Sequence, residues 1–332
     1  MNHTESMPSR SQSSTRARSS SQASPTWVDA DLDRHGGKHA TPIPARGTML
    51  SSLGWGRTSP VASHRDLILE QFTRQAIPFS TAPGIRDEEA LAFLTEASGA
   101  TPDDAVLDVA CGPGLVVCAF ARVARRVTGI DLTPAMIARA RALAEEKGVG
   151  NVSWAIGEVL PLPFRDGAFT IVSSRFAFHH FPEPRAVLAE MVRACVPGGR
   201  IVVVDLVASP DREKAAALNR MEKLRDPSHV RALSLAELRA LFHEAGLPAP
   251  CETFYSLKSE VEGLLERSFP DPGDAEVIRR MFVESVADDA LGLGTRLHGS
   301  EIRFAYPVAI LVAACAGGGT PQTATDFPPA AR

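Results

Sequence analysis

The residues best able to do chemistry are concentrated in one stretch, Val106 to Gly114, which reads VLDVACGPG. An apolar run carries a single acid, Asp108, and breaks into a loop of small residues that holds Ala110, Gly112 and Gly114. Glycines at such places let the chain turn tightly and let a ligand approach the backbone. The run reads as a buried parallel strand, and LVVCAFARVARR after it reads as a helix. Together they form the opening unit of a nucleotide-type site at the carboxyl edge of a sheet. Asp131 ends a second short strand, VTGID, seventeen residues after Gly114. A carboxylate there accepts hydrogen bonds from both ribose hydroxyls of an adenosine cofactor.

A nicotinamide dehydrogenase would show GxGxxG, but the third glycine position is Val117. No lysine follows the loop, which excludes a phosphate-binding P-loop. Asp108 points elsewhere. A carboxylate beside the loop gains nothing from phosphates, whereas a cofactor with an ammonium or sulfonium favours it.

Other candidates lie downstream. His179 and His180, in FAFHHF, suit a general base because imidazole titrates near neutrality. Neighbours on an irregular segment are expected to point apart, so at most one faces a site, and a structural role competes with catalysis. Asp205 either reaches a substrate or caps a turn. Arg225 and His229, in RMEKLRDPSHVR, fall where substrate contacts are common, although a solvated charged helix is the plainer reading.

The elements that position these residues follow from periodicity and punctuation. HRDLILEQFTRQAIPF and DEEALAFLTEA read as helices ahead of the first strand. LTPAMIARARALAEEKG is a helix with Thr133 as N-cap, Pro134 in its first turn and Gly148 beyond its end. NVSWAIGE, AFTIVSS and RIVVVDLVAS read as further strands, and Pro197 with two glycines is expected to stop the helix PRAVLAEMVRA. SLAELRALFHEAG carries a capping box, Ser234 with Glu237. Then the alternation stops: ETFYSL is a candidate strand, 258–290 reads as helical, and YPVAILVAACAG reads as a last buried strand. There Pro307 is tolerable only near a start or an edge. Repeated strand–helix alternation predicts a parallel sheet covered on both faces.

Composition sets bounds. The chain has 332 residues, 44% hydrophobic and 22% charged, with a net charge of −4 that gives no pull toward nucleic acid. Five cysteines lack metal-ligand spacing and read as reduced thiols of a cytoplasmic protein. No apolar run reaches the roughly 18 residues of a membrane helix. Residues 1–60 are Ser/Arg-rich and then broken by Gly and Pro, which predicts a disordered tail. A folded domain is expected over 61–317, with a second tail over 318–332.

The ordered motifs DVACGPG, GIDLTPAMI, GEVLPLPF and SSRFAFHHFPEPRAVLAEMVRACVPGG resemble the class I S-adenosylmethionine-dependent methyltransferases, most closely the subgroup around the ubiquinone and menaquinone C-methyltransferases. The resemblance implies a Rossmann-like, seven-stranded α/β sheet of order 3-2-1-4-5-7-6. Only the last strand is then antiparallel, and residues 257–300 form a helical insertion before it. It also implies that Asp108, Ala110, Gly112 and Gly114 line the methionine end of S-adenosylmethionine. Asp131 would hold the ribose and Leu132 and Met136 would pack on the adenine. Gly157, Glu158 and Val159 would sit near its amino group, with Arg175 beside the point of methyl transfer. Phe72 and Phe79 fall in a segment similar to the helix that closes over the cofactor. The glycine-leucine-arginine-asparagine run of the quinone enzymes is absent, and FAFHHF replaces it. The expected partner is a small, apolar methyl acceptor, held between the 64–82 helix, the 206–232 segment and the insertion; a homodimer is compatible with this. The alternative is a protein that binds the cofactor without transferring its methyl group.

Overall fold

Ser63 opens α1 (His64–Thr81) with a reciprocal cap, its hydroxyl accepting from Asp66 N while Asp66 accepts from Ser63 N. Asp87 caps α2 (Glu88–Ala97) in a similar way. The computed structural model describes residues 62–271 and 273–315, so the tails expected at 1–60 and 318–332 lie outside the described residues.

From there strands and helices alternate. They run β1 (Ala105–Val109), α3 (Leu115–Phe120), β2 (Arg126–Asp131), α4 (Pro134–Lys147), β3 (Val152–Ile156) and β4 (Phe169–Arg175). A short 3-10 turn, Phe178–His180, precedes α5 (Pro184–Ala194), β5 (Cys195–Ala208) and α6 (Arg212–Arg225). Next come β6 (Leu233–Ser234), α7 (Leu235–Glu244), β7 (Cys251–Glu260), α8 (Val261–Ser268) and α9 (Asp274–Asp288). The last described elements are β8 (Arg296–His298) and β9 (Glu301–Ala314).

The sheet runs β3-β2-β1-β4-β5-β9-β7, with β6 beside β5 and β8 beside β9. Setting aside those two short pieces, this is the anticipated order, and β9 is antiparallel to both of its long neighbours. Successive side chains of the central strands face opposite layers, as the pleat requires, and both faces are buried. Val106, Val202, Val204, Ile310 and Val312 face one helical layer, while Leu107, Ile201, Val203, Ala309 and Leu311 face the layer of α5 and α7. Burying each such valine, leucine or isoleucine side chain contributes about 1.5–3 kcal/mol.

Several local readings need correction. The helix after the glycine loop stops at Phe120, because the chain must turn into β2. Pro197 does not stop α5; strand pairing has already begun at Cys195, opposite Phe169. Thr133 has the extended backbone of an N-cap but makes no side-chain cap bond; Asp131 takes its backbone N–H instead. The insertion is shorter than 257–300, since β7 continues to Glu260 and β8 turns back as a hairpin on β9. Pro307 sits inside β9, yet the ladder to β5 ends at Val308, so its missing N–H costs nothing on that side.

Candidate active site

The carboxyl ends of β1, β2 and β4 open on a cavity of about 230 Å³ whose outer wall is α1. The loop after β1 makes its floor with Ala110 and Gly112, and three of the loop's residues have positive φ: Ala110 at 55°, Gly112 at 52° and Gly114 at 80°. The two glycines serve different needs. A Cβ on Gly112 would meet open space, whereas one on Gly114 would come within 2.8 Å of Ala140 Cβ and of Trp154 Cη2. Gly114 therefore lets α3 pack against α4 and β3, and it is not part of the cavity wall.

Asp131 closes the loop. Its Oδ2 accepts from Gly112 N at 2.8 Å and its Oδ1 from Thr133 N at 2.8 Å. Burial raises its pKa, opposed by these two bonds, and each oxygen keeps a further lone pair. Asp108 is 1% exposed and accepts from Ser173 Oγ at 2.8 Å. Desolvation pushes its pKa up to about 7, against the pull of that hydroxyl and of Arg175. Arg175 gives Nη1 to Ile85 O at 3.2 Å, and its guanidinium lies 4.3 Å over the Phe176 ring. Its Nε and Nη2 are buried and make no well-formed hydrogen bond among the described residues, with the Tyr255 hydroxyl beside the guanidinium. Leu132, Met136 and Val159 form an apolar side of the cavity, and Glu158 stands at its mouth, held by Arg65 Nε at 2.7 Å. Gly157, like Gly114, is not on the wall.

A second cavity of about 110 Å³ adjoins the first, and Phe72, Phe79, Phe176 and His180 border both. Its walls come from α1, from Leu206 and the end of α6, and from Leu257 to Ser268. Here the plainer reading of α6 fails. Glu222 is 0% exposed, paired with Arg225 Nη2 at 2.6 Å and accepting from Tyr306 Oη at 2.5 Å. On this end of α6 Glu222 and Arg225 form an internal ion pair, while Arg220 and Lys223 stay on the solvated face. Arg225 reaches the second cavity, but His229 does not. It lies behind the other two histidines, its Nε2 bonded to Asn219 Oδ1 at 2.8 Å.

The expectation that only one of the paired histidines could face a site is also overturned. On a 3-10 turn the two rings lie 4.3 Å apart, and both border the second cavity. They differ in chemistry. His180 is pushed down to about 3 by burial and by His179, so it is neutral. Ser228 gives its one proton to Asp226 at 2.5 Å, so it accepts from His180 Nδ1 at 3.1 Å. His179 Nδ1 donates to Asp205 Oδ1 at 2.5 Å. Burial disfavours its charged form, but the Asp205 charge and hydrogen bond outweigh that and raise its pKa. Asp205 is thereby held under His179.

Residues 107–203 match the family described as "Methyltransferase domain". The chain is 37% identical over 244 residues to the uncharacterized methyltransferase YcgJ of Bacillus subtilis (strain 168), covering 71% of this chain and 96% of that protein. The crystal structure of YcgJ aligns with a TM-score of 0.63 at 28% identity, over 70% of this chain and all of that one. A ubiquinone/menaquinone biosynthesis C-methyltransferase, UbiE of Shewanella halifaxensis, is 33% identical over 117 residues, 34% of this chain and 47% of that protein. The chain belongs to the S-adenosylmethionine-dependent methyltransferase family.

The first cavity fits the family's methyl donor. Its amino-acid end is a zwitterion, and the methyltransferase offers a buried carboxylate at Asp108 and two orphaned guanidinium donors at Arg175 on the same wall. Several contributors were not foreseen: Arg65 and His64 at the start of α1, Phe176, and the Glu222–Tyr306 pair. Phe176 has φ 56°, a strained conformation for an aromatic residue that no sequence pattern signals. His64 Nε2 donates to His180 O at 2.8 Å and so ties α1 to the histidine turn.

Proposed function

We propose that this enzyme moves a methyl group from S-adenosylmethionine to a small-molecule acceptor by in-line displacement, with the donor in the first cavity and the acceptor in the second. One observation carries the reading: the two cavities meet at a shared wall of Phe72, Phe79, Phe176 and His180. The donor supplies an already activated methyl group on sulfur.

The protein's task is then to hold, orient and dry the two reactants. Asp108 receives the donor's ammonium, Arg175 Nε and Nη2 its carboxylate, and the free lone pairs of Asp131 the ribose hydroxyls. Leu132, Met136 and Val159 contact the purine, and Glu158 waits at its edge. Phe72 and Phe79 on α1 separate the junction from water. The acceptor is small and largely apolar, which the aromatic junction and Ile85, Leu206, Leu257 and Leu264 support. A cavity of about 110 Å³ suits a small molecule better than a nucleic acid. We assign the enzyme to the cytoplasm on its five free cysteines. No helix among the described residues is long and apolar enough to cross a membrane.

The test is incubation with methyl-labelled S-adenosylmethionine and a panel of phenols, quinones and thiols, followed by mass analysis. A labelled product with any member supports the reading. Binding of the donor with no methylated product from any of them overturns it.

A further inference from the structure

We propose that His179, set by Asp205, is the general base of the reaction, and that the acceptor is therefore an apolar molecule presenting a weakly acidic hydroxyl of the phenol or enol type. This rests on the two-cavity reading above and deepens it.

The geometry assigns each ring atom a task. Asp205 is 2% exposed and is fixed by three bonds: from His179 N at 3.1 Å, from Leu206 N at 2.7 Å and from His179 Nδ1 at 2.5 Å. With Nδ1 donating, neutral His179 carries its lone pair on Nε2. Nε2 has no partner among the described residues, is absent from the buried orphans, and belongs to a ring that borders the second cavity. A carboxylate behind an imidazole whose far nitrogen opens on a cavity both orients a base and stabilises the imidazolium it becomes. His180 lacks that carboxylate contact, and His229 is shut away from the cavity.

An acceptor whose nucleophile carried no proton would have no use for such a base. A hydroxyl acceptor does. Its proton passes to His179 Nε2, the oxygen electron pair forms the new oxygen–carbon bond, and the carbon–sulfur bond breaks with its pair left on sulfur. The imidazolium then returns its proton to water. Around the junction Phe72, Phe79 and Phe176 supply flat apolar walls that favour an aromatic body.

The groups around His179 fix the direction of its pH response. Asp205 and Glu222 favour the imidazolium and Arg225 opposes it; His180 and His229 are neutral neighbours, and Asp226 acts on His180. The base form therefore accumulates as pH rises through a value above that of an ordinary histidine.

The experiment uses the full chain, S-adenosylmethionine and a series of para-substituted phenols from para-methoxyphenol to para-nitrophenol. His179→Gln is expected to slow methylation of the weakly acidic phenols by about 100-fold. For para-nitrophenol, assayed above its own pKa so that it is ionised in solution, the loss should shrink to a few-fold. Asp205→Asn should move the acid limb of kcat/KM to lower pH. In the protein without donor or acceptor, NMR titration should place the His179 ring above its usual pKa and show Asp205→Asn lowering it. A loss equal for all phenols, or a His179 pKa unmoved by Asp205→Asn, overturns the base. Donor binding with no phenol methylated, or methyl found on carbon alone, overturns the acceptor class. Failure to bind the donor overturns the underlying two-cavity reading instead.

Discussion

The Asp131 carboxylate and the Gly112 amide are joined by a 2.8 Å hydrogen bond that ties the end of β2 to the glycine loop after β1. The acid thus shapes the loop before any ligand arrives. Asp131→Ala leaves one buried and one half-buried N–H group without their acceptor and is expected to cost about 1–3 kcal/mol of stability. It should also weaken S-adenosylmethionine binding at least about tenfold, through the lost ribose contacts. Calorimetry and urea unfolding measure the two effects separately; an unchanged affinity would remove Asp131 from the donor site.

Asp108 sets a pH dependence. Its folded pKa is raised to about 7, so the ligand-free protein binds more protons there than the unfolded chain does between that value and the ordinary carboxylate pKa. Its contribution to stability therefore falls as pH climbs from about 4 to about 7. Donor binding runs the other way. The ammonium favours the carboxylate, so affinity should drop as pH falls below about 7, by up to about tenfold per unit. Asp108→Asn should flatten that affinity profile while raising the melting temperature above neutrality. Titration calorimetry at graded pH, with melting curves, checks both.

Gly112 and Gly114 are expected to respond unequally to alanine. At Gly112 the added Cβ meets nothing, so only the positive φ is charged, about 1–2 kcal/mol. At Gly114 the same φ penalty is joined by contacts of 2.8 Å with Ala140 and Trp154. Gly114→Ala should destabilise by several times as much as Gly112→Ala. Equal midpoints in urea would be the contrary result.

The buried Glu222–Arg225 pair gives a fourth prediction. Glu222→Ala strands a guanidinium that is only 14% exposed, and it should cost about 3–5 kcal/mol. Tyr306→Phe removes one donor to the same carboxylate and should cost about 1–3 kcal/mol. The double variant should fall short of the sum, because both changes act on one network. Chemical denaturation of the three proteins decides it.

Much of this was legible in the chain. The doubly covered parallel sheet follows from alternating apolar runs and helices, because each apolar face must be buried and crossovers share one hand, whereas the strand order comes from the family resemblance. VLDVACGPG and VTGID place Asp108, Gly112 and Asp131 at one sheet edge, since parallel strands bring their carboxyl ends together. What stayed hidden depends on distant partners. The charges of α6 have the spacing of a solvated helix, and only the approach of Tyr306 from β9 and Ser268 from α8 shows that Glu222 and Arg225 are internal.

The doubly covered parallel sheet, the glycine loop and the acids beside it are written in local period and punctuation. Which glycine yields to packing, that His179 rests on Asp205 and that α1 roofs two adjoining cavities emerge from the folded chain alone. Those relations depend on side chains meeting across 26 or more positions of chain, and no local pattern records such a meeting.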